Sequence, residues 1–162
     1  MATEKKFNIN RLYVQESSFK IENPPYIFKQ LGADVKPELQ LELKVKHKPI
    51  EDETPNLYEA VLQLKLSAKA KEQTIYNAFV RQAGIFTLEG YNKEELEAIL
   101  EGYCAEMLYP YARQVLSEQL VQGSFPNLVL IQINFSELHR QRQAQKQAPQ
   151  AKGETKKAEA IH

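Results

Sequence analysis

The residue types that most often carry chemistry are few in this chain of 162 residues, and they lie far apart. There are three histidines, His47, His139 and His162, and one cysteine, Cys104. A nucleophile–base pair or a metal centre needs several such side chains to converge, and this scatter promises neither. His47 falls in the polar end of a strand and His139 in a basic C-terminal stretch, so both read as solvated. Cys104 follows Tyr103 on an apolar helical stripe, which marks a core thiol rather than a nucleophile. A single cysteine excludes an intramolecular disulfide and any zinc site built on two thiolates of one chain. Glu51, Asp52 and Glu53 lie between Pro49 and Pro55 without the 12-residue spacing or central Gly of a calcium loop. They read as a solvated loop. A Gly-rich phosphate cradle and a Gly-x-Ser-x-Gly elbow are both missing from the sequence. The expectation is therefore no catalytic residue, no metal and no cofactor.

Composition narrows the classes further. Hydrophobic residues make up 43% and charged residues 26%, ordinary values for a globular domain. Lys+Arg and Asp+Glu both number 21, so the formal net charge is zero. That balance argues against nucleic acid as a partner, because phosphate neutralisation dominates such affinity. Charge is nevertheless uneven. From Glu137 onward six basic residues face three acids, leaving +3 there and −3 before it (6 − 3, against a total of zero). Residues 1–148 are expected to form one domain, and 149–162, rich in Ala, Lys and Glu, a disordered basic tail. The first residues lack the apolar h-region of a signal peptide, and apolar runs fall short of the ~18 residues of a membrane helix. A soluble, cytoplasmic protein in a reducing compartment is expected, with no direct membrane insertion.

The elements that must position any site are legible from periodicity. Leu39, Leu41, Leu43 and Val45 alternate with Gln40, Glu42 and Lys44, a strand with one apolar and one wet face. Residues 58–70 repeat the pattern with Tyr58, Ala60, Leu62, Leu64 and Leu66. Residues 74–82 are rich in β-formers, and Gly84-Ile85-Phe86 would continue them after a bulge. Residues 6–21, with Phe7, Ile9, Leu12, Val14, Phe19 and Ile21, read as a longer, less regular strand. The short link Lys71-Glu72-Gln73 requires antiparallel pairing, whereas the aromatic connection 22–37, with Tyr26 and Phe28, is long enough for a crossover. The second half is helical. Asn92 and Glu95 form a capping pair, and Leu96, Ile99, Leu100, Tyr103, Met107, Leu108, Tyr111, Ala112, Val115, Leu116 and Leu120 form a wide apolar stripe. Gly102 and Pro110 predict a kink or break, Gly123 a C-cap, and Asn127–Phe135 an extended apolar segment. The first part of the basic stretch beyond it fits a helix.

These elements give an α+β fold: a four-stranded antiparallel sheet, a long kinked helix and a C-terminal helix. One helix covers one sheet face, and its stripe is wider than that face needs. Surplus apolar surface on both elements predicts self-association. A groove beside an apolar strand and a mobile crossover could bind extended peptide. Glu94 and Glu95 would be the acids of a hot-dog-like thioesterase, but helix capping already accounts for them.

Three stretches resemble the SecB protein-export chaperone family: Gln82–Phe86, Tyr103–Arg113, and Gly123–Leu130 closing with Ile133-Asn134-Phe135. The Pro24-Pro25 segment and Pro37–Leu43 fall in matching order, so the likeness spans about residues 6–140. It implies a homotetramer built as a dimer of dimers and a holdase without enzymatic activity. Its partners would be unfolded precursor proteins and the SecA motor ATPase. Leu39, Leu41 and Leu43 match client-groove positions, as does Leu138 at the start of the last helix. Glu16 matches an acidic SecA-contact position, and Lys20, Asn77 and Phe79 occupy three further SecA-contact positions. There this sequence departs from the family, with Lys20 and Phe79 standing where relatives carry acids and Asn77 where they carry an apolar residue. Val35 stands where the crossover commonly has Trp, and the tail is basic rather than acidic. Such departures also admit a SecB-like chaperone with a dedicated non-export client, such as an antitoxin.

Overall fold

The computed structural model describes residues 4–32, 35–127 and 132–146. The tail expected from residue 149 and most of the apolar segment Asn127–Phe135 lie outside them. Four strands form one antiparallel sheet: β1 (Lys6–Ile21), β2 (Glu38–Pro49), β3 (Leu57–Ala70) and β4 (Gln73–Glu89), in the order β1-β4-β3-β2. A short helix α1 (Tyr26–Gln30) sits in the crossover, where the sequence predicted only an aromatic connection.

The irregular apolar pattern of β1 has a geometric cause. Its pairing with β4 slips between Ile9 and Arg11 and again between Val14 and Glu16. Each extra residue reverses which parity faces the core. Phe7 and Ile9 are followed on the same face by Leu12 and Val14, then by Phe19 and Ile21, as their β4 partners Leu88, Phe86, Gly84, Gln82, Ala78 and Tyr76 show. The bulge expected near Gly84 is therefore not found there in β4, whose own slip, against β3, lies at Ile75; the irregularities flanking the Gly84 row belong to β1. Gly84 serves packing instead: a Cβ there would lie 2.7 Å from the Phe86 ring and 3.0 Å from Leu12. The β3–β4 turn at Lys71 and Glu72 has φ of 50° and 64°, matching the strand twist of a tight hairpin.

The helical half opens as the capping pair predicted. Asn92 Oδ1 accepts from the Glu95 backbone N–H at 2.9 Å, starting α2 (Lys93–Ala98). The chain then makes a π turn over Ile99–Tyr103 and continues as α3 (Cys104–Gln122). The expected interruption at Gly102 is this π turn, while at Pro110 the helix runs on. Cys104, Ala105, Leu108, Tyr109, Ala112, Leu116 and Leu120 are buried, and α3 packs across β3 and β4. Gly123 does end the helix, but at φ −84°. The left-handed residue is Ser124, at φ 67°. Gly123 is small for another reason: a Cβ would lie 2.5 Å from Phe19. Phe135, expected to close an extended segment, instead opens the last helix, α4 (Phe135–Lys146).

Candidate functional site

The alternation along β2 builds an apolar band on the helix-covered side of an edge strand. Leu39, Leu43 and Val45 are half-buried. Leu41, between the first two, is 1% exposed and belongs to the core. Accessible contact at this strand therefore rests on Leu39 and Leu43, with Leu41 as the floor beneath. Registers across the sheet fix the ends of the band. Leu39 lies in one row with Ala68, Tyr76 and Ile21, whereas His47 lies in a row with Ala60, Gly84 and Leu12.

At the Leu39 end stands an aromatic patch. The Phe125 ring centroid is 4.6 Å from that of Tyr76, 5.8 Å from that of Phe28 and 6.3 Å from that of Phe19. Tyr26 and Phe28 of α1 are 60% and 42% exposed, large apolar surfaces left open to solvent. Ile27 between them is buried and anchors the short helix.

At the His47 end the structure corrects the sequence. His47 and His139 were expected to be solvated, yet both hydrogen-bond to one carboxylate. Glu101 Oε1 lies 3.3 Å from His47 Nε2, and Glu101 Oε2 lies 2.5 Å from His139 Nδ1. His139 is only 8% exposed. The His47 hydrogen bond outweighs the cost of burial and, with that of His139, holds the Glu101 carboxyl down at about 2. Glu101 is thus an ionised acceptor, and both imidazoles donate N–H to it. It sits in the π turn, whose extra residue alters the helical register at this point. Leu138, beside His139, is 9% exposed and packs in the core together with Phe135, whose ring centroid is 5.6 Å from that of Tyr109. Gly102 allows this approach, because a Cβ there would lie 2.9 Å from Ser136 Oγ. Among the described residues no cluster of His, Cys, Asp and Glu is arranged to hold a metal ion. Cys104 is buried, which pushes its thiol up to about 12, so it stays protonated at neutral pH.

The opposite sheet face carries the other four positions. Glu16 pairs with Arg81, Lys20 with Asn77, and Ser18 with Phe79 in the β1–β4 register. Glu16, Lys20, Asn77 and Phe79 thus share one patch. Its charges are already engaged. The Arg81 guanidinium donates to Glu16, donates to Gln63 Oε1 at 3.1 Å and lies over the Phe79 ring at 5.1 Å. Lys20 Nζ is 3.6 Å from Glu22. Nearby, the Tyr13 hydroxyl donates to Glu59; burial and this carboxylate push the phenol up to about 12.

A sheet with an apolar edge strand, an exposed aromatic patch at one end and a docked helix at the other is a surface for holding chain segments, as in the chaperone class. The family described as preprotein translocase subunit SecB matches residues 1–146. The chain belongs to the SecB family. It is 41% identical over 143 residues to the protein-export protein SecB of Nitrosococcus oceani, covering 88% of this chain and 85% of that one. It is 37% identical over 153 residues to that of Legionella pneumophila (strain Paris), covering 94% and 91%. Its fold resembles that of a SecB-like chaperone of Mycobacterium tuberculosis, solved with a peptide from an antitoxin. That likeness has a TM-score of 0.64 at 17% identity, over 78% of this chain and 90% of that one. The chain is accordingly a chaperone with a role in protein export, and not an enzyme. No described helix is long and apolar enough to cross a membrane.

Proposed function

We propose that this protein is an ATP-independent holdase that binds unfolded precursor proteins along the β2 band, keeps them translocation-competent and passes them to SecA. The observation that supports it is the edge placement of Leu39 and Leu43, half-buried in a band whose Leu39 end carries the aromatic patch of Phe28, Phe125 and Tyr76. Burial of client apolar surface is worth roughly 25 cal/mol per Å², spread over several shallow contacts. Selectivity for client sequence is then low, and client folding competes with binding. Leu138 contributes when α4 moves, since it is covered while α4 is docked. The Glu16, Lys20, Asn77 and Phe79 patch is the proposed SecA contact. A homotetramer in the cytoplasm, assembled as a dimer of dimers, fits the exposed Tyr103, Tyr111 and Val121 of the long helix and the exposed Ile9 and Val14 of edge strand β1.

Native mass spectrometry with an unfolded precursor and its folded mature form tests this. A mass of roughly 75 kDa (4 × 18.7 kDa) that shifts only with the unfolded species is expected. A monomer or dimer indifferent to both would overturn it. The antitoxin peptide bound by the M. tuberculosis neighbour supports a second reading, a dedicated non-export client. Binding to one protein, with no affinity for a panel of unfolded precursors, would favour it.

A further inference from the structure

The Glu101 bridge ties three elements through one carboxylate: the edge strand through His47, the π turn through Glu101 and the terminal helix, packed against that turn, through His139. We infer that Glu101 is a latch through which strand β2 and helix α4 sense one another. Loosening His47 on the strand loosens α4, although the two imidazoles meet only through the shared carboxylate.

Three observations carry this. The carboxylate uses a different oxygen for each imidazole, so both hydrogen bonds form at once and each narrows the rotamers open to Glu101. Both contacts are shielded, with Glu101 and His139 side chains 19% and 9% exposed. A charge-assisted bond held away from water contributes more than one at the surface. Finally, the described polar tie between the start of α4 and α3 is long. Ser136 donates to Glu106 Oε1 of α3 only at 3.4 Å from both its N and Oγ, while Arg140 turns back to Glu137 within α4. On the strand side Lys48 faces Glu59 at 4.0 Å.

The latch sits where the β2 band meets α4. Opening would uncover Phe135 and Leu138 and lengthen the apolar band; this consequence rests on the holdase reading, whereas the latch itself does not. Hydrogen exchange of the α4 amides, followed by mass spectrometry on the full chain without client, separates the two. At neutral pH, Glu101→Gln should speed α4 exchange at least ~10-fold, with His139→Gln close behind. His47→Gln should speed it several-fold, and should add nothing in the Glu101→Gln background. Exchange of the β3 amides serves as the folding control. Unchanged α4 exchange in His47→Gln would overturn the inference. If Glu101→Gln does not fold, the His47→Gln/His139→Gln cycle decides: coupled effects uphold the latch, and strictly additive effects refute it.

Discussion

The two ends of the β2 band are closed by opposite kinds of contact. At Leu39 the closing groups are rings, with Phe125 among Tyr76, Phe28 and Phe19 at varied tilts. At His47 they are one carboxylate and two imidazoles with fixed donor and acceptor atoms. Ring contacts prefer certain tilts but are far less directional than charge-assisted hydrogen bonds, so on the holdase reading they can yield gradually to client side chains of differing shape. The Glu101 bridge is directional and is either made or broken. One band thus pairs an adaptable end with a switch-like end, and breadth of recognition need not come from the same residues as its control.

The comparison can be broken or sharpened by substitution. The largest effect is expected at Leu41, the buried floor of the band between Leu39 and Leu43. Leu41→Asp places an unpaired carboxylate in the core and should cost on the order of 4 kcal/mol in urea unfolding. An unshifted midpoint would show that Leu41 is open to solvent. At the aromatic end, Gly123→Ala drives a methyl against Phe19 and should cost about 1–3 kcal/mol while leaving α4 exchange unchanged. A faster α4 would mean the two ends are one unit.

At the polar end the expected signature is pH dependence. Glu101 titrates at about 2 in the fold against an ordinary 4.5, so its stabilisation is complete above ~4.5 and is lost as pH falls toward 2. Glu101→Gln should therefore be less stable than the parent by about 2 kcal/mol at pH 6, with the gap closing by pH 2. Urea melts at both pH values check this, and a constant gap would mean the carboxylate charge is not what stabilises.

Leu43→Asp, on the accessible part of the band, should weaken capture of an unfolded precursor about tenfold while shifting the melt far less than Leu41→Asp. Equal losses in both variants would remove the distinction between floor and surface. The smallest effect belongs to the opposite face. Glu16→Lys removes the exposed Arg81 pair and should cost at most about 1 kcal/mol. It should spare client binding and weaken SecA association. Unchanged SecA affinity would move that contact elsewhere.

Much of this was legible in the sequence where the signal is local. Leu39 to Val45 alternate with polar residues because a pleated strand shows each face every second residue, and Asn92 with Glu95 states a helix start within four residues. The bridge was not legible for the opposite reason. Glu101 sits 54 positions from His47 and 38 from His139, and no periodicity links such distant residues. Its place in a π turn also breaks the 3.6-residue pattern that would have assigned it a face. A faint signal did exist, in an acid amid an otherwise apolar run next to a glycine. The burial of Leu41 but not of Leu39 and Leu43 was equally hidden, because alternation gives the face and not what covers it. The β1 slips displaced a bulge rather than a strand: Gly84 pairs regularly with Leu12 between the two slips, so it pointed to the right neighbourhood and the wrong strand.

The strand order bears on how the chain comes to be made. The hairpin of β3 and β4 closes through two residues, and β2 adds across a loop of seven, Ile50–Asn56. By contrast, the pairing of β1 with β4 joins Lys6 to Glu89, 83 positions later (89 − 6). On the ribosome, at about 5–20 residues per second, the first strand waits on the order of 4–17 s before its neighbour exists. Throughout that interval Phe7, Ile9, Leu12 and Val14 form a nascent apolar segment with unmet backbone groups. The chain therefore passes, during its own synthesis, through the unfolded condition of the proteins it is proposed to bind.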